Sequence, residues 1–117
     1  MLQKINLEHI LFLDIETVPE HPNFNDLDAE EKALWELKTA YKRQDEFTPE
    51  EFYDRAGIWA EFGKIICISV GYFANKGDIR NFRTTSFFGE EERLLQEFKT
   101  LLKTHFNRPH HVLCAHN

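Results

Sequence analysis

A chain of 117 residues with 42% hydrophobic and 14% aromatic content has the material for one small core and excludes a disordered segment. Its net charge of −6, from 20 acids against 14 bases, excludes the basic profile of a protein that grips duplex nucleic acid along its backbone. No apolar run approaches a membrane span and no N-terminal h-region marks a signal peptide, so a cytoplasmic location without a membrane partner is expected. Cys67 and Cys114 lie in apolar runs and are expected to be buried, reduced thiols, in keeping with that compartment.

After a polar lead-in, Ile10 to Leu13 is a run of four apolar residues that meets Asp14, Glu16 and Thr17 before Pro19. Such a run fits a central strand covered on both faces, and Pro19 ends it because proline cannot donate to a ladder. Strand alternation puts Asp14 and Glu16 on one face, with Ile15 on the other. Two carboxylates at the exit of a buried strand form a hard-oxygen patch of the kind that holds Mg²⁺ or Mn²⁺ with substrate phosphates.

A turn-rich loop follows, and a helix is expected to open at Asp28, which forms a capping-box pattern with Glu31. Leu27, Leu34, Leu37 and Tyr41 are the expected buried stripe. A second helix opens at Thr48, with Pro49 at its first position and Glu51 completing another capping box. Phe52, Ala56 and Trp59 share its inner face. The charge run from Lys42 to Glu46 between these helices is expected to be solvated. The pair reads as a helical insertion over residues 26–61.

Lys64 to Ala74 is the longest strand pattern. The turn signal Asn75-Lys76-Gly77-Asp78 joins it to a polar, alternating strand from Ile79 to Ser86, giving a hairpin whose second arm lies at the sheet edge. A helix over residues 89–106 carries Glu90, Glu91 and Glu92 at its start and Lys103 and His105 at its end, as the helix dipole favours. Its core stripe is Leu94, Leu95, Phe98, Leu101, Leu102 and His105. His111 to His116 reads as a last strand that a crossover places parallel to the first and beside it.

This order, with Phe12-Leu13-Asp14-Ile15-Glu16-Thr17 ending the first strand, resembles the ribonuclease-H-like fold of the DEDD 3′–5′ exonucleases. The insertion, followed by Glu61 to Gly71, is similar to the predicted exonucleases related to the proofreading domain of family B DNA polymerases. Val112-Leu113-Cys114-Ala115-His116-Asn117 resembles the approach to that family's second motif. The fold class expected is therefore α/β, a ribonuclease-H-like mixed sheet of about four strands, incomplete, with the helices inserted after the first strand.

The resemblance implies two-metal-ion hydrolysis of phosphodiesters at a nucleic acid 3′ end, single-stranded DNA first. Asp14 and Glu16 match the first pair of metal-ligating carboxylates, Thr17 falls beside the terminal nucleotide, and Asn117 matches the second motif's asparagine. The family's third and fourth carboxylates have no counterpart in the sequence, so the chain is expected to be the N-terminal part of a longer enzyme, inactive by itself. An uncovered sheet face is expected to drive self-association.

Two other readings compete. In a phosphatase of the haloacid dehalogenase type Asp14 would be a nucleophile, but the second acid there is Asp rather than Glu, and the hairpin suits an all-parallel sheet poorly. In a non-catalytic binding module the two acids are structural or vestigial. A zinc site from His110, His111, Cys114 and His116 is disfavoured, since only one cysteine and two histidines share a strand face.

Overall fold

Residues 4–116 are described by the computed structural model. Four strands, β1 (Ile10–Pro19), β2 (Gly63–Lys76), β3 (Ile79–Phe88) and β4 (Val112–Ala115), form one mixed sheet in the order β3-β2-β1-β4. Three helices, α1 (Ala29–Arg43), α2 (Pro49–Phe52) and α3 (Glu91–His105), complete an α/β architecture. No helix among the described residues is long and apolar enough to cross a membrane. The chain divides into a sheet unit, up to Glu16 and from Ile65 onward, and a helical unit, Thr17–Lys64.

In the sheet unit β4 lies parallel to β1, with Ile10 opposite Val112 and Leu13 opposite Ala115. The β2–β3 hairpin is antiparallel and closes through Gly77 and Asp78, since Lys76 pairs with Ile79. Gly77 has φ +64°, which fits glycine at the first central position of a type II′ turn. The turn is thus two residues, shorter than the four-residue signal Asn75–Asp78, and both strands run on by two residues.

One face of the sheet packs on α3. Leu11, Ile68, Val70 and Leu94 are its buried centre, with Leu13, Phe98, Leu101 and Leu102 packed around them. Leu95 and His105 are exposed, so the buried stripe of α3 is narrower than the sequence pattern suggested. Glu91 accepts a hydrogen bond from the Ile65 amide, beyond any dipole effect at the helix start. The opposite face of the sheet is not covered as the apolar run of β1 implied: Phe12, Phe73 and Phe82 group there, and Phe82 remains 52% exposed. Cys114 is exposed and Cys67 half-buried, which corrects the expectation of two buried thiols.

The helical unit is built around Trp35. Phe52, Tyr53, Trp59 and Phe62 surround its ring with centroids 5.0 to 5.9 Å away. These are edge and tilted geometries, which aromatic quadrupoles prefer. The Trp35 indole donates to the Pro49 carbonyl at 2.7 Å. Both capping boxes form: Asp28 with Glu31, and Thr48 with Glu51.

The inner face of α1 differs from the heptad reading. Trp35 and Thr39, one turn apart, are buried, whereas Leu34, Leu37 and Tyr41 are exposed, Leu37 by 76%. The Thr39 hydroxyl donates to the Trp35 carbonyl and accepts from Arg43 Nε, so this buried polar group is satisfied. Arg43 also donates to the Phe47 and Glu36 carbonyls, so it is a tie across the loop rather than part of a solvated charge run. The second expected helix is one α-turn that tightens into a 3-10 segment, Tyr53–Ile58, while keeping Phe52 and Ala56 buried.

Candidate metal centre

Burial along β1 falls from buried at Ile10 and Leu11 to exposed at Asp14 through Thr17. Leu11 and Leu13 point to α3, so Phe12 and Asp14 occupy the other face. Phe12 touches Phe73 and Phe82 there, with ring centroids 6.1 and 6.0 Å apart. Alternation carries Glu16 to the same face as Asp14.

The carboxylates begin where the parallel ladder stops. Leu13 and Ala115 are the last paired residues of β1 and β4, and Asp14 is one residue beyond. This is the carboxyl end of β4, a usual location of ligand clefts in α/β sheets, while β1 runs on through Pro19, so the two acids leave the middle of β1 rather than its exit as the sequence suggested. Asp14 borders an open depression of about 370 Å³ with Phe12, Ser69, Gly71, Phe82 and Ser86. Its floor carries a hydroxyl pair, Ser69 Oγ to Ser86 Oγ at 2.9 Å. Gly71 lets the Phe82 ring lie directly over the backbone, because a Cβ there would stand 2.3 Å from Phe82 Cζ. Among the described residues, neither Asp14 nor Glu16 is held in an ion pair.

Chemically, two exposed carboxylates offer hard oxygen donors suited to Mg²⁺ or Mn²⁺ and leave most of the coordination shell to water and phosphate. They fit as part of a site. Among the described residues no third His, Cys, Asp or Glu joins them in a metal-holding group. Thr17 is an exposed residue of β1. Asn117 lies outside the described residues.

The histidines are arranged differently from any strand-face reading. His110 and His111 meet His9 rather than Cys114, with ring centroids of 4.1 Å for His9–His110 and 4.5 Å for His110–His111. The available signal was the parallel pairing itself: His9 precedes Ile10 and His111 precedes Val112, which are partners in the ladder. The Phe12–Phe73–Phe82 group was missed because it needs the β2–β3 register as well. No family model, curated protein or solved structure matches this chain.

Proposed function

We propose that the chain carries the first half of a ribonuclease-H-like 3′–5′ exonuclease site, completed by carboxylates from outside the described residues. The observation that supports it best is the position of Asp14, one residue past the last parallel pair of β1 and β4, with Glu16 on the same face. Asp14 and Glu16 would hold the divalent cations, with Thr17 beside the terminal nucleotide and Asn117 as the second motif's substrate-binding asparagine. Mg²⁺ or Mn²⁺, when bound, would supply charge neutralisation at the scissile phosphate and a more acidic water. Two carboxylates leave that charge undercompensated, so these 117 residues alone should release little or no nucleotide from a 3′-labelled single strand.

The test compares this chain with a longer parent on that substrate, with and without divalent ions. In the parent, Asp14→Ala with Glu16→Ala should cost roughly three orders of magnitude in rate, several kcal/mol of transition-state stabilisation, while folding is retained. Strong release by the 117 residues alone would overturn the half-site. No divalent-dependent release by the parent would leave the second reading, a binding module, for which the half-exposed Phe82 beside Asp14 offers an apolar surface. The open Phe12–Phe82 face and the exposed β4 edge also support self-association, which light scattering at rising concentration checks.

A further inference from the structure

We infer that His9, His110 and His111 form an acid-sensitive latch on the start of the β1–β4 ladder. The three rings lie at the point where both strands begin: His9 precedes Ile10, His111 precedes Val112, and these two neighbours are paired. His110 stands 4.1 Å from His9 and 4.5 Å from His111, and His9 and His111 are 5.8 Å apart, centroid to centroid. Phe106, just past α3, closes on His111 at 5.2 Å.

Two of the rings accept hydrogen bonds through a ring nitrogen. Asn6 Oδ1 accepts the Glu8 amide, so the Asn6 amide nitrogen faces His9 Nε2 as a donor at 3.2 Å. The Arg108 amide donates to His111 Nδ1 at 3.2 Å. A proton on either acceptor nitrogen abolishes its bond, since a protonated imidazole has two donors and no acceptor. Desolvation among its neighbours, then the charges of His9, His111 and Arg108, push the third imidazole, His110, below its ordinary value.

The surrounding charges do not offset this. Arg108 comes from the loop, and His105 from the end of α3, where it shares a small cavity with Glu8 and Phe106. Glu8, the acid of the 3-10 turn, pairs with no imidazole among the described residues. In acid, a charge on His110 therefore meets Arg108 and two neighbouring rings at one strand junction. Histidine is the side chain whose charge changes in that range. The weakest neighbour yields, which is β4, four residues long and exposed throughout.

A histidine whose native pKa is depressed contributes stability above its unfolded value and loses it as pH falls through the native one. Amide hydrogen exchange tests the latch, read at β4 and at the β2–β3 hairpin and corrected for intrinsic rates. Between about pH 7.5 and pH 5, protection of the β4 amides should fall at least about twofold while the hairpin amides hold. A His9→Gln, His110→Gln variant, altering two rings that are not buried, should keep β4 protection across the same range. Unchanged β4 protection in the native chain would overturn the inference. So would an equal loss at the hairpin, or a loss that persists in the variant.

Discussion

Trp35 in the helical unit and Leu94 in the sheet unit are both 0% exposed, yet they sit in cores of different kinds. Around Trp35 the core is aromatic, closed on itself and fastened by hydrogen bonds at its rim, from Tyr53 to His21 and from Thr39 to Trp35. Around Leu94 the buried centre is aliphatic, with Tyr72, Phe87, Phe98 and Phe106 only at its margin, and the core is one-sided: α3 covers one face of the sheet, while Phe82 on the other face and the whole of β4 stay exposed. The contrast separates scaffold from site. Apolar surface stays open in the sheet unit beside the two carboxylates, where a ligand or further chain has room to bind.

The strongest test of the comparison is Trp35→Ala. It removes the ring on which the aromatic contacts converge and leaves a cavity that rigid neighbours cannot fill. It should cost about 3–5 kcal/mol in urea denaturation followed at the remaining tryptophan, Trp59. A cost near that of a surface change would mean that the helical unit lacks the closed core described.

The second test works inside the sheet unit. Leu94→Ala should cost about 3 kcal/mol, whereas Leu113→Ala, at a side chain 55% exposed on β4, should stay within about 0.5 kcal/mol. Comparable costs at the two positions would show β4 packed against something in solution. That outcome would erase the asymmetry between the two sides of the sheet.

These tests turn on what the sequence could and could not disclose. Capping at Asp28 and Thr48 was legible because it is written in residues three apart. The parallel neighbour of β1 followed from the helix between hairpin and last strand. The buried face of α1 was not legible. Leu34, Leu37 and Tyr41 have the spacing of an inner stripe, but Phe52, Trp59 and Phe62, far along the chain, select Trp35 instead. Alternation read Asp14 and Glu16 as one face, but no local pattern could supply a third ligand. Nor could it bring His9 to His110 before the register of β1 and β4 was known.

A smaller effect separates the rims of the two cores. Burial raises the Tyr53 phenol above its ordinary value of 10.0, and the charges of Glu31, Asp26 and Glu20 add to the shift. The neutral phenol is favoured in the folded state, so its contribution is present below pH 10.0 and is lost as pH rises through the raised value. Tyr53→Phe should cost about 1 kcal/mol at neutral pH through the lost hydrogen bond and should flatten the alkaline decline. Denaturation midpoints measured through that range decide it. An unchanged alkaline decline would assign it to other groups.

The finest distinction lies on the open face itself. Gly71 is held by the ring above it, since a Cβ would meet Phe82 Cζ at 2.3 Å. Phe82 is half exposed, so the ring can swing aside, and what it loses is contact with Gly71, Phe12 and Phe73. Alanine in a strand is itself favoured over glycine by about 0.5–1 kcal/mol. Gly71→Ala should therefore be near neutral in the native chain, the two effects offsetting each other. With Phe82→Ala already made, the same change should stabilise by about 0.5–1 kcal/mol. A double-mutant cycle by denaturation reads the difference. If Gly71→Ala has the same effect with and without the ring, Phe82 does not rest on the strand in solution, and the depression beside Asp14 has a different floor.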